Sequence, residues 1–270
     1  MRIVKQTSLY VVLTALSLVL FFPMLYAFSA SFMSAQEVLL GHFLPSTLHF
    51  ENYLQAFQDV PLFRFLINSI FISLVVTFGV LAVSSMAAYA FVFLDFKGRK
   101  LLFVLFISTM MIPWEASMIP NFVTVQQLGW INRYAGLTIP FFASAFGTFL
   151  LRQYFKTIPK EMQEAAQIAG IGHFRFFMNV VLPVSKTSLV TLGIYTFLTT
   201  WNAYLWPLLT TTDELVRPLQ IGLRQLQSQE TVNEWGVVMA AVMVVAVPTL
   251  IVLFIGQKHL QKGLTDGALK

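Results

Sequence analysis

The chain contains no cysteine, and charged residues make up only 11% of its 270 positions. Without cysteine it forms no disulfide and offers no thiolate to a metal ion. Soluble domains carry about 25% charged residues, so this chain has too few charges to cover a water-exposed surface. Hydrophobic residues make up 57% of the sequence. The composition therefore predicts a chain that mostly faces lipid or other helices.

The sequence also lacks the residue clusters that are typical of a catalytic or metal-binding site. Its four histidines are scattered through loops and chain ends. No glycine-rich phosphate loop followed by lysine is present, so nucleotide binding of the Walker type is not expected. We therefore predict that the chain is not an enzyme and binds no cofactor or metal. If its function uses ATP, a partner subunit must supply the hydrolysis.

Long gaps between charged residues predict membrane-spanning helices. A helix rises about 1.5 Å per residue, so roughly 20 apolar residues cross the hydrocarbon core. We predict an all-α integral membrane protein whose six transmembrane helices cover residues 9–31, 66–93, 101–123, 135–153, 184–208 and 236–257. The first apolar run is longer than the h-region of about 7–15 residues in a signal peptide, so we interpret it as a retained helix.

The arrangement of lysine and arginine predicts the orientation. With the N-terminus inside and six crossings, only four of the 17 basic residues lie outside, namely Arg64, Arg133, Arg217 and Arg224. Cytoplasmic loops of membrane proteins are enriched in Lys and Arg, so both termini are predicted to be cytoplasmic. The expected organisation is a first helix with its outside loop (1–65), a five-helix core (66–258) and a cytoplasmic tail (259–270).

The predicted inside connection, residues 154–183, has the features of a short helix rather than a linker. Thr157 is the predicted N-cap, Pro159 suits a first helical turn, and Gly170 suits the position just after the helix end. Small or flexible side chains recur with helical spacing at Met162, Ala165, Ala166 and Ala169.

Two glutamates, Glu161 and Glu164, lie beside this small-residue face. Small side chains allow another surface to approach closely, and the carboxylates offer partners to basic residues. An interfacial helix lying on lipid headgroups is the alternative, but such a helix favours large apolar residues with Lys and Arg. We therefore predict that this segment docks a soluble partner.

Few polar residues lie inside the predicted spans. Glu115 is the one charge there, about two-thirds of the way along the third span, and is either a solute contact or a structural carboxylate near the outer mouth. Trp201 and Asn202 are either pathway-lining or helix-packing residues, because sugars bind aromatic faces and amides. Asn121 is a weaker pathway candidate. Trp206 is predicted as an anchor at the membrane interface.

Residues Glu164-Ala165-Ala166, then Gly170, then Leu182-Pro183, resemble the EAA loop of bacterial ABC importer permeases. The resemblance implies a type I importer permease fold in which this loop forms a coupling helix. That helix would seat in a groove of a cytoplasmic ATPase subunit through these residues.

Other segments are similar to the MalG-like permeases of the carbohydrate-uptake group. They are Glu51-Asn52-Tyr53, Asn68-Ser69, Phe96-Lys97-Gly98-Arg99, the run from Trp201 to Leu208, and the tail from Gly263 to Ala268. The similarity implies half of a sugar translocation pathway in a bacterial inner membrane. It also implies a second permease subunit, two ATPase subunits and an extracytoplasmic solute-binding protein as partners.

Two alternatives stay open at this point. Permeases for sn-glycerol-3-phosphate or a glycerophosphodiester share the same pattern, so the resemblance does not name the solute. A secondary transporter or channel is the alternative from another class. It is less favoured because such proteins often show internal repeats or several intramembrane charges, and we find no repeat and one intramembrane carboxylate.

Overall fold

The computed structural model describes residues 2–228 and 234–265, and the regular structure of those residues is helical. This confirms the predicted all-α class. The α-helices, in chain order, are α1 Arg2–Ala30, α2 Ala35–Leu39, α3 Glu51–Asp59, α4 Leu62–Phe93, α5 Arg99–Ser108, α6 Trp114–Gln127, α7 Tyr134–Thr138, α8 Ala145–Phe155, α9 Lys160–Ile168, α10 His173–Phe176, α11 Leu182–Val184, α12 Lys186–Trp201, α13 Leu205–Thr210, α14 Leu219–Ser228 and α15 Trp235–Thr265. Short 3₁₀ turns follow α5 and α7, and a π-helical turn follows α10.

Three helical stretches are each long and apolar enough to cross a membrane alone, namely Leu9–Ala30, Leu62–Phe93 and Trp235–Lys258. They coincide with the predicted first, second and sixth spans. Three further helix pairs qualify only when both members of a pair are counted as one span. The described residues therefore contain three to six candidate spans.

The predicted third, fourth and fifth spans are broken rather than straight. The two halves of the third and of the fourth span meet at angles of 100° and 42°, and the pair His173–Val184 and Lys186–Trp201 bends by 78° where the fifth span was predicted to begin. A proline lies at or close to each bend: Pro113, Pro140 and Pro183. Proline lacks the backbone N–H and its ring clashes with the carbonyl four residues earlier, so the helix loses a hydrogen bond near it and bends more easily.

The third span shows this effect most clearly. Ile112 precedes the proline and is extended (φ −86°, ψ 116°), as the proline ring requires of its neighbour. Pro113 then occupies the N-cap position of α6. A single helix over residues 101–123 was therefore a wrong prediction, and the depth assigned to Glu115 from it is wrong too.

The fifth span departs from the prediction at both ends. Pro183 was expected to open a helix over residues 184–208, but it lies in the short α11 and the long helix α12 begins at Lys186. Helix α12 ends at Trp201, and the chain resumes a helix only at α13. The break between α12 and α13 places Asn202 at a helix C-cap instead of mid-span.

The described residues group into two compact units, one within Met1–Phe63 and Gly222–Pro248, the other within Arg64–Ile221 and Thr249–Lys270. In the first unit, the buried Asn52 donates hydrogen bonds from Nδ2 to the carbonyls of Ser31 and Met33, at 3.0 and 2.9 Å. The predicted tail, residues 259–270, lies partly outside the described residues.

In the second unit, the irregular segment after α13 is held by side chains from two other parts of the chain. Asn68, which is 1% exposed, donates from Nδ2 to the carbonyls of Leu215 and Arg217 at 3.0 and 2.8 Å. Its Oδ1 accepts a hydrogen bond from the Tyr134 hydroxyl at 2.8 Å.

The start of the same segment is held by Asn132, which lies in the left-handed region (φ 57°). Its side-chain Oδ1 accepts hydrogen bonds from the backbone N–H groups of Thr212 and Asp213.

We expect Asn68→Ala to destabilise the protein by about 2–4 kcal/mol, because it removes three hydrogen bonds and leaves the Arg217 carbonyl without the Asn68 amide, and an orphaned buried group costs about 1–3 kcal/mol. Thermal unfolding of the purified protein in detergent measures the effect. Gln127→Ala, at an exposed position of α6, is the matched amide control and is expected to change the midpoint little. Equal melting of the two variants would contradict the assigned role of Asn68.

Candidate functional site

Helix α9 forms the predicted docking helix, with one change at its start. The N-cap position is Pro159 instead of Thr157, whose hydroxyl donates back to the Tyr154 carbonyl at 2.7 Å. Thr157 does not cap α9 because it lies in the turn that follows α8, where its N–H and its hydroxyl both donate to the Tyr154 carbonyl.

The end of α9 is as predicted. Gly170 has φ +70°, and its N–H donates to the Gln167 carbonyl while the N–H of Ile171 donates to the Ala166 carbonyl, at 3.0 and 2.8 Å. This pair of bonds is a Schellman motif, which needs a residue in the left-handed region that glycine adopts without strain.

The side chains of α9 divide into an exposed and an inward set. Glu161, Glu164, Ala165 and Ile168 are exposed, the last at 89%. Ala166 is only 7% exposed and packs into the core of the second unit. The predicted single small-residue face is therefore wrong for Ala166, because its methyl group lets α9 approach its own chain closely. Leu182 and Pro183 are the two remaining residues of the segment that resembles the EAA loop. Leu182 is half-buried and Pro183 is exposed.

Hydrogen bonds of two side chains, Tyr89 and Gln163, join this segment to the end of α4. The hydroxyl of Tyr89 lies 3.0 Å from His173 Nδ1 and donates to the His173 carbonyl at 3.2 Å. Gln163 Nε2 donates to the carbonyl of Phe93, the last residue of α4, at 3.3 Å. The Tyr89 contacts thus hold the start of α10, and the Gln163 bond holds α9 itself.

Aromatic rings reinforce the same junction. We call Tyr89, Phe93, Phe155, Phe176 and Phe177 the aromatic cluster. The ring of Tyr89 lies 5.0 Å from that of Phe93 and 5.2 Å from that of Phe177, and the ring of Phe93 lies 5.4 Å from that of Phe176. Aromatic pairs at such distances stabilise a packed core beyond their buried area. Residues 160–177, which we call the coupling segment after the role predicted for them, are therefore a packed part of the second unit.

Farther along α4, the breaks in three helical elements surround a cavity of about 680 Å³. Its lining is apolar with a set of hydroxyl and amide groups. The polar lining residues are Ser69, Ser73, Ser144, Tyr195, Thr199, Thr200, Asn202 and Tyr204. Among the described residues, no charged side chain lines this cavity. Neutral hydrogen-bonding groups in an apolar wall are suited to a polyhydroxylated solute.

An aromatic wall closes one side of the cavity. Trp206 is buried, and its indole Nε1 donates to the Gly136 carbonyl at 2.9 Å. Its ring packs against Trp114 and Phe141, with centroids 5.7 and 6.1 Å away. The predicted interface-anchor role of Trp206 is therefore wrong, because the indole satisfies a backbone carbonyl inside the second unit.

The predicted pathway residues fall in different places. Asn202 lines the cavity, with its Nδ2 donating to the Leu198 carbonyl at 2.8 Å. Trp201 is buried, stacks on Phe197 and does not line the cavity, so the packing interpretation applies to it. Glu115 is exposed in the first turn of α6, where the helix dipole favours a carboxylate. Asn121 is half-buried in α6 and does not line the cavity.

Sequence reasoning missed the hydroxyl residues of the cavity. Ser69 and Ser73 are one helical turn apart on α4, as are Tyr195 and Thr199 on α12. Hydroxyl groups at i and i+4 in otherwise apolar spans are the signal that identifies such a face, because they share one side of a helix. Ser73 Oγ is buried and makes no hydrogen bond with any residue that the structure describes.

Comparisons with known proteins identify the family. Residues 80–266, more than half of the chain, match the model of the binding-protein-dependent transport system inner membrane component. The chain is 36% identical over 259 residues to the sn-glycerol-3-phosphate transport system permease protein UgpE of Rhizobium meliloti (strain 1021), covering 92% of each. UgpE of Brucella abortus (strain 2308) is 36% identical over 255 residues, which cover 91% of this chain and 90% of that one.

A solved structure supports the same relationship. It is described as a bacterial ABC transporter involved in the import of the acidic polysaccharide alginate. The two chains superpose with a TM-score of 0.86 at 27% sequence identity, over 94% of this chain and 96% of that one. The ABC importer permease predicted from the EAA loop is thereby confirmed, and members of this family are not catalytic and need no cofactor. The chain belongs to the family of binding-protein-dependent inner membrane components, as a multi-pass permease subunit of an ABC importer complex.

Proposed function

We propose that this chain forms half of the translocation pathway for sn-glycerol-3-phosphate or a glycerophosphodiester. The observation that carries the proposal is the 36% identity to UgpE permeases over 92% of the chain. This solute was the alternative in the sequence analysis, where a sugar was preferred. The full-length identity favours the alternative.

The cavity beside α4 supports a polyol-binding role. Its hydroxyl groups match the hydroxyls of a glycerol unit, and Ser73 Oγ is buried with no hydrogen-bonding partner among residues 2–228 and 234–265. A buried hydroxyl without a partner is costly, which favours a bound group that supplies one. Because the described lining residues are uncharged, the phosphate would be neutralised by the second permease subunit.

An oligosaccharide is the second candidate. The structural match to an alginate importer favours it, and the aromatic lining residues Trp114 and Tyr204 offer faces for sugar rings. A glycerol phosphate and an acidic polysaccharide share hydroxyl groups and negative charge. The same neutral cavity, paired with cationic groups elsewhere in the complex, would serve either solute.

For coupling, the proposal assigns the contact with an ATPase subunit to the exposed face of α9. Glu161, Glu164 and Ala165 form this face, and Gly170 ends the helix so that the face projects from the chain. Leu182 and Pro183 form the bend into α12. In the assembly we propose, a second permease subunit, two ATPase subunits and a solute-binding protein complete the importer, and both termini are cytoplasmic.

The same proposal makes α4 the element that carries motion from the docking helix to the cavity. Tyr89 and Phe93 bind the coupling segment at one end, and Ser69 and Ser73 line the cavity nearer the other. The 16 residues from Ser73 to Tyr89 span about 24 Å of unbroken helix. A continuous helix transmits displacement with less loss than the bent pairs.

Glu164→Lys is expected to abolish uptake and to weaken association with the ATPase, because it reverses a charge on the docking face. Co-purification of the complex and uptake into proteoliposomes measure the two effects. Glu214→Lys, at an exposed position in the segment that Asn68 and Asn132 hold, is the matched control. Normal ATPase association by Glu164→Lys would contradict the docking assignment.

Tyr89→Phe is expected to leave the complex assembled but to lower solute-stimulated ATP hydrolysis about fivefold. It removes a hydrogen bond worth about 1 kcal/mol while keeping the ring packed, and 1.4 kcal/mol corresponds to a factor of ten. The control is Tyr10→Phe, at an exposed position of α1. Stimulation equal to that of the unaltered complex would show that α4 does not carry the signal through this contact.

The solute is identified by ATP hydrolysis of the reconstituted complex with its binding protein. We expect stimulation by sn-glycerol-3-phosphate and little by maltose-like oligosaccharides; the reverse order would overturn the solute assignment. Ser73→Ala is expected to raise the half-saturating concentration about 2- to 12-fold, because one hydrogen bond contributes about 0.5–1.5 kcal/mol. Ser85→Ala is the control, since Ser85 is buried on α4, bonds the Ala82 carbonyl and does not line the cavity.

A further inference from the structure

After α1 ends at Ala30, the chain folds back and packs beside the same helix. We call residues 39–50 the return loop. The ring of Phe43 lies 6.1 Å from the rings of both Phe22 and Tyr26, and Ser29 Oγ donates to the Phe43 carbonyl at 2.7 Å. Phe22 lies about two turns before the end of α1, so the loop reaches back roughly 12 Å along the helix.

The return loop exposes large apolar side chains, and its titratable residues are two histidines, His42 and His49. Leu40, Phe43, Leu44 and Leu48 are all more than half exposed, with Leu44 at 76%. No Asp, Glu, Lys or Arg lies between Glu37 and Glu51. Contiguous apolar surface of this kind marks a contact with another phase or molecule instead of water.

A single carboxylate fixes the shape of the loop. Glu37 Oε2 accepts from the Ser34 N–H at 2.9 Å and Oε1 accepts from the Ser46 N–H at 2.8 Å. The backbone N–H of Ser34, followed by that of Ser46, lowers the pKa of Glu37 to about 2. Glu37 is therefore ionised at neutral pH, and the apolar tip between the two serines is held in place.

We propose that the return loop is an interfacial anchor, with Leu40, Phe43 and Leu44 inserted among the lipids beside α1. The argument is continuity of surface, because the loop packs on Leu9–Ala30, a candidate span with no part of its apolar window buried by the rest of the described chain. Irregular backbone is excluded from the hydrocarbon centre, so the insertion is shallow, at the boundary of headgroups and acyl chains.

The chain has no native cysteine, so a single introduced cysteine is the only site in this subunit that a thiol-reactive label can modify. A nitroxide label at Leu44→Cys is studied in the complete importer in nanodiscs of phosphatidylethanolamine and phosphatidylglycerol. Relaxation by oxygen reports contact with acyl chains, and relaxation by a water-soluble nickel chelate reports contact with water. Leu20→Cys, at an exposed position of the candidate span in α1, is the apolar reference, and Gln36→Cys in α2 is the water-exposed reference.

The label at Leu44 is expected to resemble that at Leu20, with an oxygen-to-nickel ratio several-fold above that at Gln36. High nickel accessibility would overturn the proposal in favour of a loop in water. Low accessibility to both reagents with an immobilised spectrum would also overturn it, in favour of a loop covered by another subunit. A second label at Leu40→Cys keeps the test valid if the Leu44 variant fails to assemble. The outcome does not depend on the solute or on the coupling proposal.

Discussion

The architecture depends on one constraint: every backbone group freed by a helix break must be hydrogen-bonded within the protein, because lipid offers no partner. The second unit meets it with side chains from distant parts of the sequence. The Trp206 indole binds the Gly136 carbonyl, and Asn68 binds the carbonyls of Leu215 and Arg217. When side chains satisfy these backbone groups, the two halves of a broken helix can separate. The cavity is lined by residues at such breaks.

Helix α4 has a different role because it is unbroken over 32 residues. It presents serine hydroxyls to the cavity and aromatic groups to the coupling segment. The hydrogen bonds from Tyr89 to His173 and from Gln163 to Phe93 make the docking helix part of the same packed body. Under the proposed function, a partner that moves α9 therefore acts on α4, and through it on the cavity.

The related transporters act on acidic polyhydroxylated compounds of very different size. A neutral lining suits solutes of different sizes, because hydroxyl and amide groups can hydrogen-bond the hydroxyls of many different molecules. In our proposal, the charge of the solute is recognised by other parts of the assembly. This division explains why a single carboxylate or arginine in the spans is a poor guide to the solute.

The sequence alone determined the features that depend on local composition. Gaps between charges located the apolar helices because charged side chains are costly in lipid, and the EAA segment with Gly170 located helix α9 because its end requires a left-handed residue. Tertiary structure alone decided which side chains face one another. Trp206 lines the cavity while its neighbour Trp201 packs away from it, and Ala166 turns inward. These outcomes depend on partners far away in the chain, which no local pattern encodes.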